Sequence, residues 1–302
     1  MAMSLLSRLA AGAAAPVFPV IGAGVLPQVE RLFSSPALRR VPSPREAAIL
    51  LVAGEIPESA REALDRVHDQ VPHPRTTVTW DGASPVEDRL TEAWRALCAG
   101  GETEPDRRPD TPPNEWKGKG DHGHGGEGMM GGVPYGRPMA MPGEDVRDGL
   151  QLDRYSARVG PFAPMLPPGL TLEVVLQGDV VVDVSVCAAP LPQPGEADAP
   201  ELCAARMVRL LGLDAAAARL VQGRRPAAAF IRTALPSGLG ALPGAGDARE
   251  RLAGWLAGEH GPNRVDGLAD ALVGLEWHEM TLVLASLPPS TLAGSLSMTE
   301  AA

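Results

Sequence analysis

The sequence predicts an α/β fold: a small parallel sheet with flanking helices, then a Gly/Pro-rich loop, then an α+β part with a β-hairpin and a helical bundle. Three observations carry that expectation. Residues 47–52 are an unbroken apolar run closed by Gly54, the pattern of a strand buried on both faces. Residues 100–149 are dense in Gly, Pro and charge with almost no apolar periodicity, so they build no core of their own. Two further apolar runs, 170–175 and 180–186, flank Gln177-Gly178-Asp179, a hairpin signal.

In chain order, residues 1–11 place Leu5, Leu6 and Leu9 on one side of a short helix with Arg8 nearby. Such a helix is either a foot on a membrane or partner, or a frayed terminus. Residues 9–29 carry no charge, but Pro16, Pro19 and Pro27 with Gly12, Gly22 and Gly24 interrupt them too often for a stable membrane-spanning helix. A signal segment ending near Ala15 is the competing reading of this stretch. After the first strand, Pro57 and Glu58 open a helix with Ala60, Ala63, Leu64 and Val67 at helical spacing. Pro72 and Pro74 stop it, and residues 76–80 have the β-branched content of a second strand. Strand, helix and strand in this order form a right-handed parallel βαβ unit.

Beyond the hairpin, residues 190–200 are a turn-rich link. Residues 202–221, 248–257 and 268–287 then read as helices, the last ended by Pro288-Pro289. The expected division is an N-terminal helix (1–16), a small α/β domain (17–99), a Gly/Pro/Met-rich linker or docking loop (100–149) and a hairpin-plus-helical domain (150–302). A chain of 302 residues suffices for about two domains.

Composition removes several functions. Aromatic residues are 4% of the chain and 27 basic residues face 37 acidic ones, a net charge of −10, which argues against a nucleic-acid partner. Cys98, Cys187 and Cys203 stand far apart with no C-x-x-C, which excludes a disulfide framework and a cluster bound by four cysteines.

The segment Val17-Phe18-Pro19-Val20, with Ser43-Pro44-Arg45-Glu46 and the apolar run to Gly54, resembles the small electron-transfer subunit of complex I and of the related membrane-bound nickel–iron hydrogenases. Asp69-Gln70-Val71-Pro72-His73-Pro74-Arg75 is similar to that family's Asp-Gln-Met-Pro-x-Pro-Arg stretch, and this resemblance covers about residues 17–84. From Gly160 onward, Gly160-Pro161-Phe162 followed by the hairpin from Gly169 to Val181 resembles the opening of the neighbouring quinone-site subunit, the counterpart of the hydrogenase large subunit. The pair of resemblances implies a flavodoxin-like first half and a large-subunit-like second half in one chain.

The departures are chemical. The small-subunit family's cubane ligands would fall at residues 22–27 and just after the second strand, where this chain has no cysteine. Neither C-x-x-C pair of the nickel–iron members is present, and residues 161–169 lack the histidine of the quinone-binding members. The resemblance therefore implies the fold and the company of that assembly while the ligand set argues against an iron–sulfur cluster or nickel–iron centre in this chain.

Residues 117–141 are the most distinctive stretch. Asp121, His122, His124 and Glu127 fall within seven residues, a spacing that lets two imidazoles and a carboxylate reach one zinc or nickel ion, and the methionines that follow would suit copper(I). The other reading is a docking loop in which Met129, Met130, Tyr135, Arg137, Met139 and Met141 touch a partner. His278 lies between Glu276 and Glu279, residues of one solvated helix face rather than a general-base site. His68 either pairs with Asp69 or, as the resembled family implies by ending a helix above the sheet here, makes a helix-end contact, and Cys203 reads as a small core residue. Arg137, Arg147, Arg154 and Arg158 form a loose basic cluster that either pairs with an acidic partner or faces solvent.

The expected function is a non-redox structural or coupling subunit of a complex I-like or membrane-hydrogenase-like assembly, not catalytic alone. It would sit peripherally at the cytoplasmic face of the membrane, docked on membrane-embedded complex I-like or antiporter-like subunits through residues 1–30 and the Gly/Met loop. The alternative is a metal-binding or redox protein that uses the His122/His124 loop.

Overall fold

The computed structural model describes residues 5–108, 142–147, 149–164, 166–224 and 233–296. Helix α1 (Leu5–Ala11) leads into strand β1 (Ala15–Ile21), every residue of which is buried. There follow α2 (Leu26–Leu32), β2 (Leu38–Arg40), β3 (Ile49–Ala53), α3 (Arg61–Gln70), β4 (Thr76–Trp80) and α4 (Glu87–Cys98). The strands form one parallel sheet in the order β2-β1-β3-β4, with Val17 opposite Ile49 and Leu51 opposite Val78. The expected βαβ unit is β3-α3-β4.

β1 was not foreseen, because prolines demote a run to an edge or a loop. Here both prolines fall where the ladder needs no donor. Pro16 uses its carbonyl, which accepts from the Ala48 N–H at 3.1 Å before β3 begins. Pro19 lies past Val17, the last residue of β1 that pairs with β2. Alternation along β1 serves two cores. Val17 and Ile21 pack with Val29 of α2 and Leu90 of α4, while Phe18 and Val20 pack with Val71 and with Phe162 from the second half.

The second half opens with an antiparallel sheet, β5 (Arg154–Val159), β6 (Thr171–Gln177) and β7 (Val180–Ala188), in sequential order. The expected hairpin is β6-β7, closed by Gly178 at φ +64° and Asp179. β5 is its edge, so Arg154 and Arg158 of the expected basic cluster are exposed residues of an edge strand, where charge discourages pairing with another chain. The helices are α5 (Pro200–Leu210), α6 (Asp214–Val221), α7 (Ala248–Ala257), α8 (Leu268–Leu272), α9 (Trp277–Ala285) and α10 (Pro289–Ser295).

Two expected helices are each broken in two. Residues 202–221 divide at Gly212, which takes φ +77°. Residues 268–287 divide at 273–276, because this segment pairs with β7: the Val181 N–H donates to Leu275 and the Gly274 N–H to Val181. A strand edge with free backbone groups thus competes successfully with helix continuation. Among the described residues no helix is long and apolar enough to cross a membrane.

The two halves share their packing. Ala197 belongs to the core beneath the parallel sheet, and Phe162 to the core on its other face. Of the first 30 residues, those from Ala15 to Ile21 and most of α2 lie inside the fold, which corrects the expectation that residues 1–30 as a whole dock on a partner. α1 stays at the surface, with Leu9 65% exposed and the helix tied down where Trp94 Nε1 donates to the Ala10 carbonyl.

Candidate functional site

In an open parallel sheet the ligand crevice lies beyond the carboxyl ends of the strands, where the strand order reverses. In this order that point lies between β1 and β3. The chain fills it. Val25 packs against the ends of β3 and β4: a Cβ on Gly54 would stand 2.7 Å from Val25 Cγ2, and one on Gly82 would stand 2.7 Å from Val25 Cγ1. From the second half, Gln193 reaches over the loop that follows β1. Its Nε2 donates to the Gly22 carbonyl at 3.0 Å, its Oε1 accepts from the Leu26 N–H at 3.1 Å, and beside it the Gly24 N–H donates to Pro192 at 3.0 Å. After β4 the Asp81 carboxylate accepts from the N–H groups of Ser84 and Ala83 and from the Ser84 hydroxyl, and these bonds hold its carboxyl below the usual range.

These are the two loops where the resembled small-subunit family would hold a cubane. Thiolates are what bind such a cluster, and residues 21–28 and 80–84 offer an isopropyl group, amides and one carboxylate already engaged in its own turn. The residues present do not fit the cluster.

α2 runs from this plugged crevice to the seam between the halves. Glu30 is wholly buried there, with Arg40 donating to one carboxylate oxygen at 2.8 Å and Arg209 of α5 donating to the other. Burial alone would raise the Glu30 carboxyl. Arg209 and then Arg40 more than offset it and hold it at about 2. Beside this triad lies a cleft of about 370 Å³ whose walls come from both halves, Phe18 and Leu26 from the first and Phe162, Leu166 and Leu287 from the second.

No protein-family model, curated protein or solved structure matches this chain.

A second polar assembly ties down the residues after α4. His68, 1% exposed, directs Nδ1 at Asp69 Oδ1 (2.7 Å) and Nε2 at Glu104 Oε2 (3.0 Å). Arg75, also 1% exposed, donates to the Val71 carbonyl at 2.8 Å and to the Asp106 carboxylate. Glu104 also accepts from the Thr77 N–H (2.5 Å), the Thr77 hydroxyl (2.7 Å) and the Thr76 hydroxyl (3.2 Å). Burial raises its carboxyl, and the bonds from Thr77, His68 and Thr76 outweigh that and hold it at about 2. The helix-end contact expected of His68 and Asp69 is present. Glu104, which meets His68, and Asp106, which pairs with Arg75, fall in the stretch read as linker or docking loop, and residues 103–108 form a strap across the start of β4.

The sign of the pH dependence follows. A folded pKa of about 2 against an ordinary 4.5 means that Glu104 stabilises the fold fully above about pH 4.5 and loses that contribution as the pH falls towards 2. Glu104→Gln is therefore expected to lower stability by about 2 kcal/mol at neutral pH and by much less near pH 2. Urea denaturation at the two pH values checks this, with faster tryptic cleavage after Arg107 as the local readout.

The other expected residues do not converge. His278 is exposed, Glu276 accepts from Arg147 at 2.7 Å, and Glu279 accepts from the Gly240 N–H at 2.7 Å, so the two carboxylates serve different partners. Arg147 also pairs with Asp179. Cys203 is fully buried and burial pushes its thiol up, as the core reading requires. Among the described residues no three His, Cys, Asp or Glu side chains group as metal ligands. Asp121, His122, His124 and Glu127, and the docking candidates Met129, Met130, Tyr135, Arg137, Met139 and Met141, lie outside the described residues.

Proposed function

We propose that this chain is a non-redox structural or coupling subunit of a complex I-like or membrane-hydrogenase-like assembly. The observation that carries the reading is the filled crevice: where the resembled family holds its terminal cluster, Val25 takes the space and Gln193 seals it from the second half. A protein whose electron carrier is replaced by packing atoms transmits force or holds neighbours in place rather than passing electrons. The clasped halves support the same reading, because the Glu30–Arg40–Arg209 triad and the shared cores join the small-subunit-like and large-subunit-like parts as one body. Contact with membrane-embedded, antiporter-like subunits at the cytoplasmic face is assigned to α1, whose Leu9 is exposed beside Arg8, and to the Gly/Met loop. Redox centres, where the assembly has them, belong to other chains.

The test is a mild-detergent pull-down of the tagged protein from its own membranes, with partners identified by mass spectrometry and metals counted on the same eluate. The expected result is stoichiometric recovery of antiporter-like membrane subunits, and a protein that, separated from them, is colourless with no visible iron–sulfur absorption. A brown, cluster-loaded chain would overturn the reading. Recovery of the chain alone from the soluble fraction with one bound transition metal would replace it with the His122/His124 metal-binding function.

A further inference from the structure

We propose that the cleft at the seam is a binding site for a single-chain amphiphile with an anionic head, of which a medium-chain fatty acid is the simplest form. The proposal stands independently of the assembly described above. Small-molecule sites are concave, mostly apolar and common at the junction of two domains, with volumes of roughly 300–1,000 Å³. This cleft, at about 370 Å³, meets each condition. Its apolar wall includes Phe18, Leu26, Phe162, Leu166 and Leu287. Pro161, Pro164, Pro167 and Pro168 line one side, so the wall is stiff and little backbone freedom is lost when a ligand enters.

The charges lining the cleft decide the head group. Three are positive (Arg40, Arg206, Arg209) and two negative (Glu30, Asp214), a balance of one positive charge. Glu30 is already shared by Arg40 and Arg209, and Asp214 stands 3.7 Å from Arg209 Nε. Arg206 is left with neutral acceptors: it donates to the Ala197 carbonyl at 3.0 Å and to Cys203 Sγ at 3.4 Å, and among the described residues no carboxylate pairs with it. A half-buried guanidinium with only neutral acceptors gains a charge-assisted, fork-shaped bond from a carboxylate. A ligand that sets its carboxylate on Arg206 and lays its chain against Phe162 and Leu287 satisfies both features at once. A neutral amphiphile leaves Arg206 unpaired, and a cationic one meets the residual positive charge.

The experiment uses the full-length chain stripped of bound lipid and titrates it calorimetrically with dodecanoate, dodecanol and dodecyltrimethylammonium, each below its micelle concentration. Dodecanoate is expected to bind as one molecule per chain, at least about tenfold more tightly than the alcohol, the effect of one hydrogen bond to a charged group. Arg206→Gln should bring dodecanoate down to the affinity of the alcohol. Ala285→Trp, which places an indole in the cleft from a half-buried position, should abolish binding of both. Ala163→Trp does the same from another half-buried lining position and replaces it where Ala285→Trp does not fold. Equal affinity for dodecanoate and dodecanol, or dodecanoate binding unchanged in Arg206→Gln, would overturn the anionic head. Binding that persists in a folded tryptophan variant, or no binding of any of the three probes, would overturn the site itself.

Discussion

Glu30→Gln is expected to destabilise the protein by about 3–5 kcal/mol, the range for removing one partner of a buried ion pair. Glu30 is wholly buried, and Arg40 and Arg209 are 16% and 14% exposed at their side chains, so the loss leaves two guanidiniums facing each other with little water to screen them. The measurement is the urea midpoint at neutral pH, with the slope checked for two-state behaviour. Its pH dependence has a defined sign. With a folded pKa of about 2 against 4.5, Glu30 stabilises fully above about pH 4.5 and its contribution fades as the pH falls towards 2. Wild type and variant should therefore converge in acid. A loss below about 1 kcal/mol at neutral pH would be the behaviour of an exposed pair and would contradict the clasp between the halves.

Gly160→Ala should cost about 3 kcal/mol or more and also change the cleft. Gly160 takes φ +108°, where a side chain is strained, and a Cβ there would overlap the Leu170 carbonyl. Relief of that overlap must displace either the start of β6 or the proline-rich segment that follows Gly160. Since Pro161 and Phe162 line the cleft, the variant should lose dodecanoate affinity together with stability. A thermal unfolding curve and the same calorimetric titration check both. Retention of the wild-type midpoint would mean that the corner relaxes without strain and that the segment does not depend on it.

Much of the architecture was legible because it rests on local patterns. The apolar run closed by Gly54, the β-branched content of residues 76–80 and the Gly178-Asp179 turn each specify an element from a few adjacent residues. β1 escaped because its two prolines argue against a central strand, and they are tolerated only because of where the β2 pairing ends and β3 begins, which no local window contains. The broken helix at residues 273–276 escaped for a related reason: its backbone bonds go to β7, some ninety residues earlier in the chain.

The sequence by itself determined the α/β class, the hairpin and the absence of cysteine from residues 22–27 and 80–84. Those follow from composition and short-range periodicity, which act without knowledge of the fold. Only the tertiary structure decided what fills the crevice at the strand ends, which acid is buried at the seam and which arginine lining the cleft meets no acid among the described residues. Gln193 meets Gly22 across 171 residues and Arg209 meets Glu30 across 179. A charge or amide is indistinguishable from solvated surface until folding brings its partner within hydrogen-bond reach and removes the water between them.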